Sequence, residues 1–205
     1  MLKNIIYAVL LGAGMAACLS QQDKQNEEAA GAPEETMLPD ATEVTPTAPD
    51  PILFVIDKER VGEVKIGMPI AQLQEQVNDG LHLTDTTLRQ EGTQSTAYLL
   101  KPEGQAKGLL VEQQCEEACK VWRISVLSPD FKTAKDISVG SKYSELQQAY
   151  RIRKVTFEEG NLVALAPDAG MSFILDHSTL PKDQLSSVNA ATVPANLLIR
   201  KILVY

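Results

Sequence analysis

Residues that commonly perform metal or redox chemistry are scarce in this sequence. Its 205 residues include three cysteines and only two histidines, His82 and His177. Only Cys115 and Cys119 lie outside the N-terminal region, and two thiolates alone make an incomplete zinc site. We therefore predict no metal and no cofactor. The Gly-x-Ser-x-Gly elbow of α/β-hydrolases is absent. A phosphate-binding loop is excluded because Met68-Pro69 stands where Lys-Ser or Lys-Thr is required.

The apolar run at the N-terminus is too short to span a bilayer. Lys3 precedes a run from Ile5 to Gly14, whereas a spanning helix needs about 20 residues. This pattern predicts a signal peptide over residues 1–17. It ends in Met15-Ala16-Ala17-Cys18, and small residues before a cysteine are what lipoprotein signal peptidase accepts. We therefore expect lipid on Cys18, although an ordinary secretory peptide cleaved near Ala17 or an uncleaved anchor is the alternative.

Residues 18–50 contain almost no large apolar side chains after the cysteine. They are rich in Glu, Gln, Thr, Ala and Pro, and residues 19–50 hold eight acids and one lysine, a net charge of −7. Such a composition predicts a disordered tether, with a root-mean-square reach of about 30 Å as a flexible coil. Leu19 stands where Asp would retain a lipoprotein at the inner membrane of enteric bacteria. We therefore expect an outer-membrane anchor facing the periplasm.

The rest of the chain, residues 51–205, suits one globular domain or two small halves, 51–130 and 131–205. The whole chain has a net charge of −8. Since the tether holds most of it, the domain is nearly neutral, with 17 basic and 19 acidic residues. This balance gives no support for binding nucleic acid.

Cys115 and Cys119 flank three residues between two apolar runs that are typical of strands. A hairpin with a three-residue loop sets these cysteines opposite each other, within reach of a disulfide bond. We expect the bond because the periplasm is oxidising. A redox-active pair is the weaker alternative, since Glu116 and Glu117 would raise the pKa of a thiolate.

A faint internal repeat divides the domain. Ile66-Gly67 matches Val139-Gly140, and each pair precedes apolar residues at helical spacing. Pro69 suits the start of the first helix, and Ser141 or Ser144 suits the cap of the second. Strand-like runs follow each helix, at 97–101, 109–113, 121–128, 155–159, 162–167, 171–176 and 197–205. Helix followed by strands, given twice, predicts an α+β fold with an antiparallel sheet and short packed helices, built as two similar halves.

The sequence resembles the RpoE-regulated lipoprotein family of Gram-negative bacteria. The resemblance rests on four segments, 62–64 (GEV), 122–127 (WRISVL), 137–146 (ISVGSKYSEL) and 200–202 (RKI), and it covers about residues 58–205 with the lipidated N-terminus. The long acidic tether and the cysteine pair depart from the pattern. The resemblance implies an envelope lipoprotein linked to stress, with no established activity. A looser similarity at the level of the fold is to the α+β repeats of outer-membrane assembly lipoproteins and β-lactamase-inhibitor proteins, which bind proteins.

Few residues stand out as candidates for interaction. Trp122 is the only tryptophan. Strand alternation places it on one face with Ile124 and Val126, which favours a core anchor, whereas an exposed Trp122 would be a natural interface hot spot. Arg151, Arg153 and Lys154 form a small basic cluster that would fit an anionic glycan or phosphate, with a solvated strand face as the alternative.

These observations predict a non-enzymatic lipoprotein of the cell envelope that acts through contacts with an unidentified envelope protein. The alternatives are an enzyme acting on peptidoglycan or polysaccharide, and a protein that binds a small ligand or lipid. The run Asp176-His177-Ser178 carries no triad, because neighbours in a strand point to opposite faces.

Mass spectrometry of the mature N-terminus is expected to show a diacylated or triacylated Cys18, because the sequence before it fits lipoprotein processing. A Cys18→Ser variant is the control, and it should lose the acyl mass. A wild-type chain that begins with an unmodified residue would contradict lipidation.

Overall fold

The computed structural model describes residues 54–76, 81–90 and 92–205. The predicted signal peptide, Cys18 and the tether therefore lie outside the described residues. Within these ranges, no helix has the length and apolar character needed to cross a membrane.

Twelve strands and two short α-helices form in the described ranges. In chain order they are β1 (Val55–Asp57), β2 (Arg60–Val61), β3 (Val64–Lys65), α1 (Ile70–Glu75), β4 (Leu81–Gln90), β5 (Thr93–Pro102), β6 (Leu109–Cys115), β7 (Cys119–Val126), β8 (Lys132–Thr133), α2 (Tyr143–Ala149), β9 (Lys154–Glu158), β10 (Asn161–Ala166), β11 (Met171–Leu175) and β12 (Ile199–Val204). Single turns of 3₁₀ helix lie at Pro167–Ala169 and Leu185–Ser187.

Eight of the strands form one open sheet in the order β4-β5-β6-β7-β12-β11-β10-β9, with every pair antiparallel. Each half of the chain contributes a four-stranded meander that runs from an edge of the sheet to its centre. The last strands of the two meanders, β7 and β12, pair there. The predicted α+β fold with two similar halves is confirmed. A second, small sheet has the order β3-β2-β1-β8, in which β1 and β8 are parallel.

The glycine turns of the repeat make the same hydrogen bonds in both halves. The amide of Gly67 donates to the carbonyl of Val121, and the amide of Gly140 donates to the carbonyl of Ile199, each at 2.7 Å. Both glycines have positive φ, 81° and 93°, a region that costs a side chain energy. The turns thus tie the start of each helix to the start of β7 or β12.

The central strand pair repeats with the halves as well. Ile124 pairs with Val204, Ser125 with Leu203, and Val126 with Ile202. When β7 and β12 are superimposed, Ile124 matches Ile202 and Val126 matches Val204. Exchanging the two halves therefore exchanges the Ile124–Val204 pair with the Val126–Ile202 pair and maps the Ser125–Leu203 pair onto itself. A pseudo-twofold axis thus passes through the Ser125–Leu203 pair.

The prediction of a serine cap on α2 is wrong. The residue that precedes the helix is Lys142, which makes no side-chain cap bond. The hydroxyl of Ser141 instead accepts a hydrogen bond from the amide of Ser138, at 3.1 Å. Glu145, in the first turn, accepts one from the amide of Lys142, at 2.8 Å. Pro69 does stand at the start of α1, as expected.

The two faces of the large sheet differ. The inner face carries the core, in which strand residues such as Val111, Ile124, Phe173 and Ile202 pack with Leu73 of α1 and Tyr143 and Leu146 of α2; each of these side chains is almost fully buried. The other face, which we call the outer face, is defined by the strand residues that alternate with that core, together with Trp122, which lies beside Arg123: Ala97, Leu99, Leu110, Glu112, Arg123, Ser125, Val163, Leu165, Ser172, Ile174, Lys201, Leu203 and Tyr205. Its leucines are only partly buried and do not join the core cluster.

The long edge strand β4 has no counterpart among the predicted strands. Ten residue pairs join it to β5, from Leu81–Pro102 to Gln90–Thr93. Only four pairs join β5 to β6, the last of them Ala97–Glu112. The far half of the β4–β5 hairpin therefore projects beyond the third strand.

Replacing Gly140 by alanine is expected to lower the free energy of unfolding by about 1–2 kcal/mol, the cost of a left-handed conformation for a residue with a side chain. No atom lies within 4 Å of the added Cβ, so backbone strain is the only source of the expected loss of stability. Gly67 has the same open surroundings, and Gly67→Ala should cost a similar amount in chemical denaturation. A loss below about 0.3 kcal/mol at both sites would contradict the role of these turns.

Candidate binding site on the sheet

Trp122 lies outside the core because β7 contains a bulge. Gln113 of β6 pairs with Val121, whereas the preceding residue, Glu112, pairs with Arg123. Trp122 is the extra residue between them, and a bulge of this kind turns neighbouring side chains toward one face. The expectation of a core anchor is wrong, since the Trp122 side chain is 40% exposed. Its ring lies beside the Arg123 guanidinium, with the Cζ atom 4.6 Å from the ring centroid.

A second bulge occupies the equivalent place in β12. Leu175 of β11 pairs with Ile199, and Ile174 pairs with Lys201, which leaves Arg200 as the extra residue. Arg200 matches Trp122 when the halves are aligned on their central pairs, so the same pseudo-twofold axis relates the two bulges. The Arg200 Nη2 donates to Asn161 Oδ1 at 3.1 Å.

The bulge in β7 also places an ion pair on the outer face. Glu112 accepts hydrogen bonds from Arg123 Nε at 2.8 Å and from Nη2 at 2.6 Å. The Glu112 side chain is 8% exposed and that of Arg123 is 24% exposed. This two-bond geometry satisfies both carboxylate oxygens and makes the pair far stronger than a solvated surface contact. Both oxygens of the Glu112 carboxylate are therefore engaged within the chain.

Lys201 occupies the position that corresponds to Arg123, but it has no equivalent of Glu112. Its neighbour on β11 is the buried, apolar Ile174. Among the described residues, no carboxylate lies within 4 Å of its Nζ. Burial lowers the pKa of Lys201, and the nearby charge of Glu112 raises it in part. The centre of the outer face thus holds a partly buried cation without a direct partner.

Aromatic and apolar side chains surround these charges. Tyr205 is 45% exposed, and its hydroxyl shares a hydrogen bond with the Ser172 hydroxyl. Leu110 and Leu203 flank Ser125 across neighbouring strands and are partly exposed. Exposed Trp and Tyr, a half-buried Arg and partly exposed leucines are the residues that protein interfaces favour.

The predicted disulfide between Cys115 and Cys119 is confirmed. The two residues are paired across the β6–β7 hairpin, with their Cα atoms 4.0 Å apart. The bond closes the tip next to Trp122. A groove of about 520 Å³ lies there, between the tip and the Ile66-Gly67 turn.

The basic cluster does not join this site. Arg151 and Arg153 precede β9 and are exposed. Lys154 begins β9, and its Nζ is 3.6 Å from Glu158 Oε1. Three strands, β12, β11 and β10, separate β9 from the strand that carries Trp122. These residues lie at the exposed edge of the sheet, and their binding of an anionic glycan or phosphate stays a prediction.

Asp176, His177 and Ser178 lie in a turn after β11. The amide of Ser178 donates to Asp176 Oδ1 at 3.0 Å, and this bond lowers the pKa of Asp176. His177 Nε2 lies 3.0 Å from the carbonyl oxygen of Gly160. The arrangement is that of a local turn. Within the described residues, no group of three or more His, Cys, Asp or Glu residues is placed to hold a metal ion.

Comparison with solved structures bears on the fold. The chain is similar to the crystal structure of the uncharacterized protein YfeY from Escherichia coli, with a TM-score of 0.50 and 15% sequence identity. The similarity covers 72% of this chain and 97% of that one. At this level of identity it shows a shared fold. No protein-family model and no curated protein matches the sequence.

Sequence reasoning found Trp122 but missed Arg123, Glu112, Lys201 and Tyr205. The two central strands each break the alternating pattern by one residue, and no local sequence signal marks either bulge. The similarity between residues 123–126 (RISV) and 201–204 (KILV) did hold the necessary signal, because it places Arg123 and Lys201 at equivalent positions.

Glu112→Gln is expected to lower the free energy of unfolding by about 2–3 kcal/mol, because it leaves the partly buried Arg123 without its counter-charge. Glu158→Gln makes the same chemical change in the exposed Lys154–Glu158 pair and should cost about 0–1 kcal/mol. Urea denaturation of both variants measures the difference. Equal losses would show that burial does not strengthen the Glu112–Arg123 pair.

Proposed function

We propose that this chain is a lipid-anchored envelope protein, related to the RpoE-regulated lipoproteins, whose outer face binds another envelope protein without catalysis. Cys18 anchors it to the outer membrane, and the acidic tether lets the domain work in the periplasm away from the bilayer. The single observation that carries the proposal is the outer face itself, where Trp122, Tyr205 and partly exposed leucines surround a buried ion pair.

The ion pair of this face suits a binding surface. Glu112 is held by Arg123 in two hydrogen bonds, so both side chains have fixed positions. The bound Arg123 is fixed in place, so it offers a rigid surface against which the Trp122 ring packs. Rigid aromatic and Arg side chains lose little entropy when they are buried by a partner.

In the part of the chain that the structure describes, the space between α1 and the large sheet gives a small ligand no enclosed site; the larger pockets, of about 750 and 860 Å³, lie outside it as open grooves. A ligand or lipid bound between helix and sheet requires a cavity of hundreds of cubic ångströms. The cavity beneath α1, lined by residues such as Val64, Leu73 and Leu100, measures about 20 Å³, which is roughly room for one water molecule.

A photo-reactive amino acid at position 203 tests the proposal in intact cells, because Leu203 lies at the centre of the outer face. We expect crosslinked products with another envelope protein, and a several-fold lower yield when Trp122→Ala is added, since an exposed aromatic anchor contributes about 2 kcal/mol or more.

The same amino acid at position 148 is the matched control, because Gln148 is exposed on α2, which packs on the inner face. It should give none of these products. Equal products from both positions, or no protein product from position 203, would overturn the proposal.

A further inference from the structure

The pseudo-twofold relation of the halves singles out Lys201. The alignment of β7 with β12 that matches their central pairs also matches Arg123 with Lys201. Arg123 has a buried carboxylate partner within the chain, whereas Lys201 faces Ile174. One half of the outer face therefore contains a complete ion pair, and the other contains its cation alone.

The surroundings of Lys201 make this cation unusual. Arg123 and Arg200 lie close enough to add positive charge around it, and burial is the largest influence on its protonation. A cation that is half withdrawn from water and has no carboxylate in direct contact attracts one more strongly than an exposed lysine does. The opposing charge of Glu112 is already bound to Arg123.

A second polar group on this face also lacks a partner. Ser125 is 1% exposed, and its hydroxyl has no hydrogen-bond partner among the described residues. It lies directly opposite Leu203, one outer-face position along β12 from Lys201. The hydroxyl is enclosed by its neighbours, so it is not itself a contact for a partner.

We propose that the outer face receives an acidic segment of a partner protein, and that an Asp or Glu carboxylate of this segment pairs with Lys201. This inference rests on the proposed function and names the chemistry of the partner. The carboxylate occupies the place that Glu112 takes beside Arg123, while apolar residues next to it cover Leu110 and Leu203. Trp122 and Tyr205 lie at the margins of the contact.

A water-soluble carbodiimide tests the contact directly. It joins an amine and a carboxylate that already touch into an amide, with loss of water to the reagent. In intact cells that make the full chain, we expect mass spectrometry to find Lys201 joined to an Asp or Glu of another protein. The exposed Lys182 provides the background level of such links. Links through Lys201 that do not exceed those through Lys182 would overturn the inference.

Variants at Lys201 separate charge from reactivity. With the photo-reactive group at position 203, Lys201→Glu is expected to lower the yield of crosslinked partner about tenfold or more, because like charges then meet. Lys201→Arg keeps the cation and should retain the yield, although its guanidinium forms no carbodiimide product. Lys182→Glu is the matched control and should leave the yield unchanged.

The outcomes also separate this inference from the proposed function. If position 203 still captures the same envelope protein in Lys201→Glu at full yield, the outer face binds protein but the carboxylate contact is wrong. If position 203 captures only phospholipid or glycan, both the contact and the protein-binding function are wrong.

Stability should distinguish Lys201 from a structural ion-pair residue. Because burial is the main influence on the Lys201 ammonium and lowers its pKa, Lys201→Met is expected to leave the midpoint of urea denaturation unchanged or to raise it. Arg123→Met should lower it, since Glu112 loses its partner. A clear loss of stability in Lys201→Met would show that the lysine serves the fold, and would count against a binding role.

Discussion

The antiparallel pairing of β7 with β12 joins the two meanders into one eight-stranded sheet. It consists of three residue pairs centred on Ser125 and Leu203, and it joins two meanders that otherwise belong to separate halves of the chain. Four of its side chains, Ile124, Val126, Ile202 and Val204, are fully buried on the inner face. Because these strands are also where both glycine turns attach, the position of each helix depends on the same contact. The outer face is continuous across the two halves for the same reason.

The two halves share a backbone arrangement and differ in the side chains that they place on the outer face. Equivalent bulges in β7 and β12 leave Trp122 unpaired in one half and Arg200 unpaired in the other. The outward cation is retained in both as Arg123 and Lys201, whereas its carboxylate partner is present only in the first half. The pairing of the backbone determines where a bulge occurs, and the side chain of the extra residue differs between these two bulges. The two bulge positions therefore carry different side chains, Trp122 and Arg200, on the same backbone arrangement.

Much of the fold could be predicted from the sequence, and most of the candidate site could not. Alternation in β10 and the matching turns at Gly67 and Gly140 are local patterns, and they indicated the meander and the repeat. The Cys115–Cys119 bond followed from the length of a single loop. Trp122 was misplaced because a bulge shifts the alternation by one residue and depends on pairing with β6. The partner of Arg123 lies 11 residues away on another strand, so only the register of the sheet brings it close. Strand β4 was missed because its threonines and charged residues carry little apolar periodicity.

The projecting β4–β5 hairpin has a bearing on self-association. In the described part of the chain, β4 pairs on one side alone, so its other edge presents a row of backbone donors and acceptors that a second molecule could extend. Asp85 and Arg89 place charge along this edge, and its remaining exposed side chains are polar, including Thr84 and Thr87. Such residues discourage edge-to-edge association. The polar residues of β4, which made the strand hard to predict from the sequence, thus also reduce the tendency of the sheet edge to aggregate.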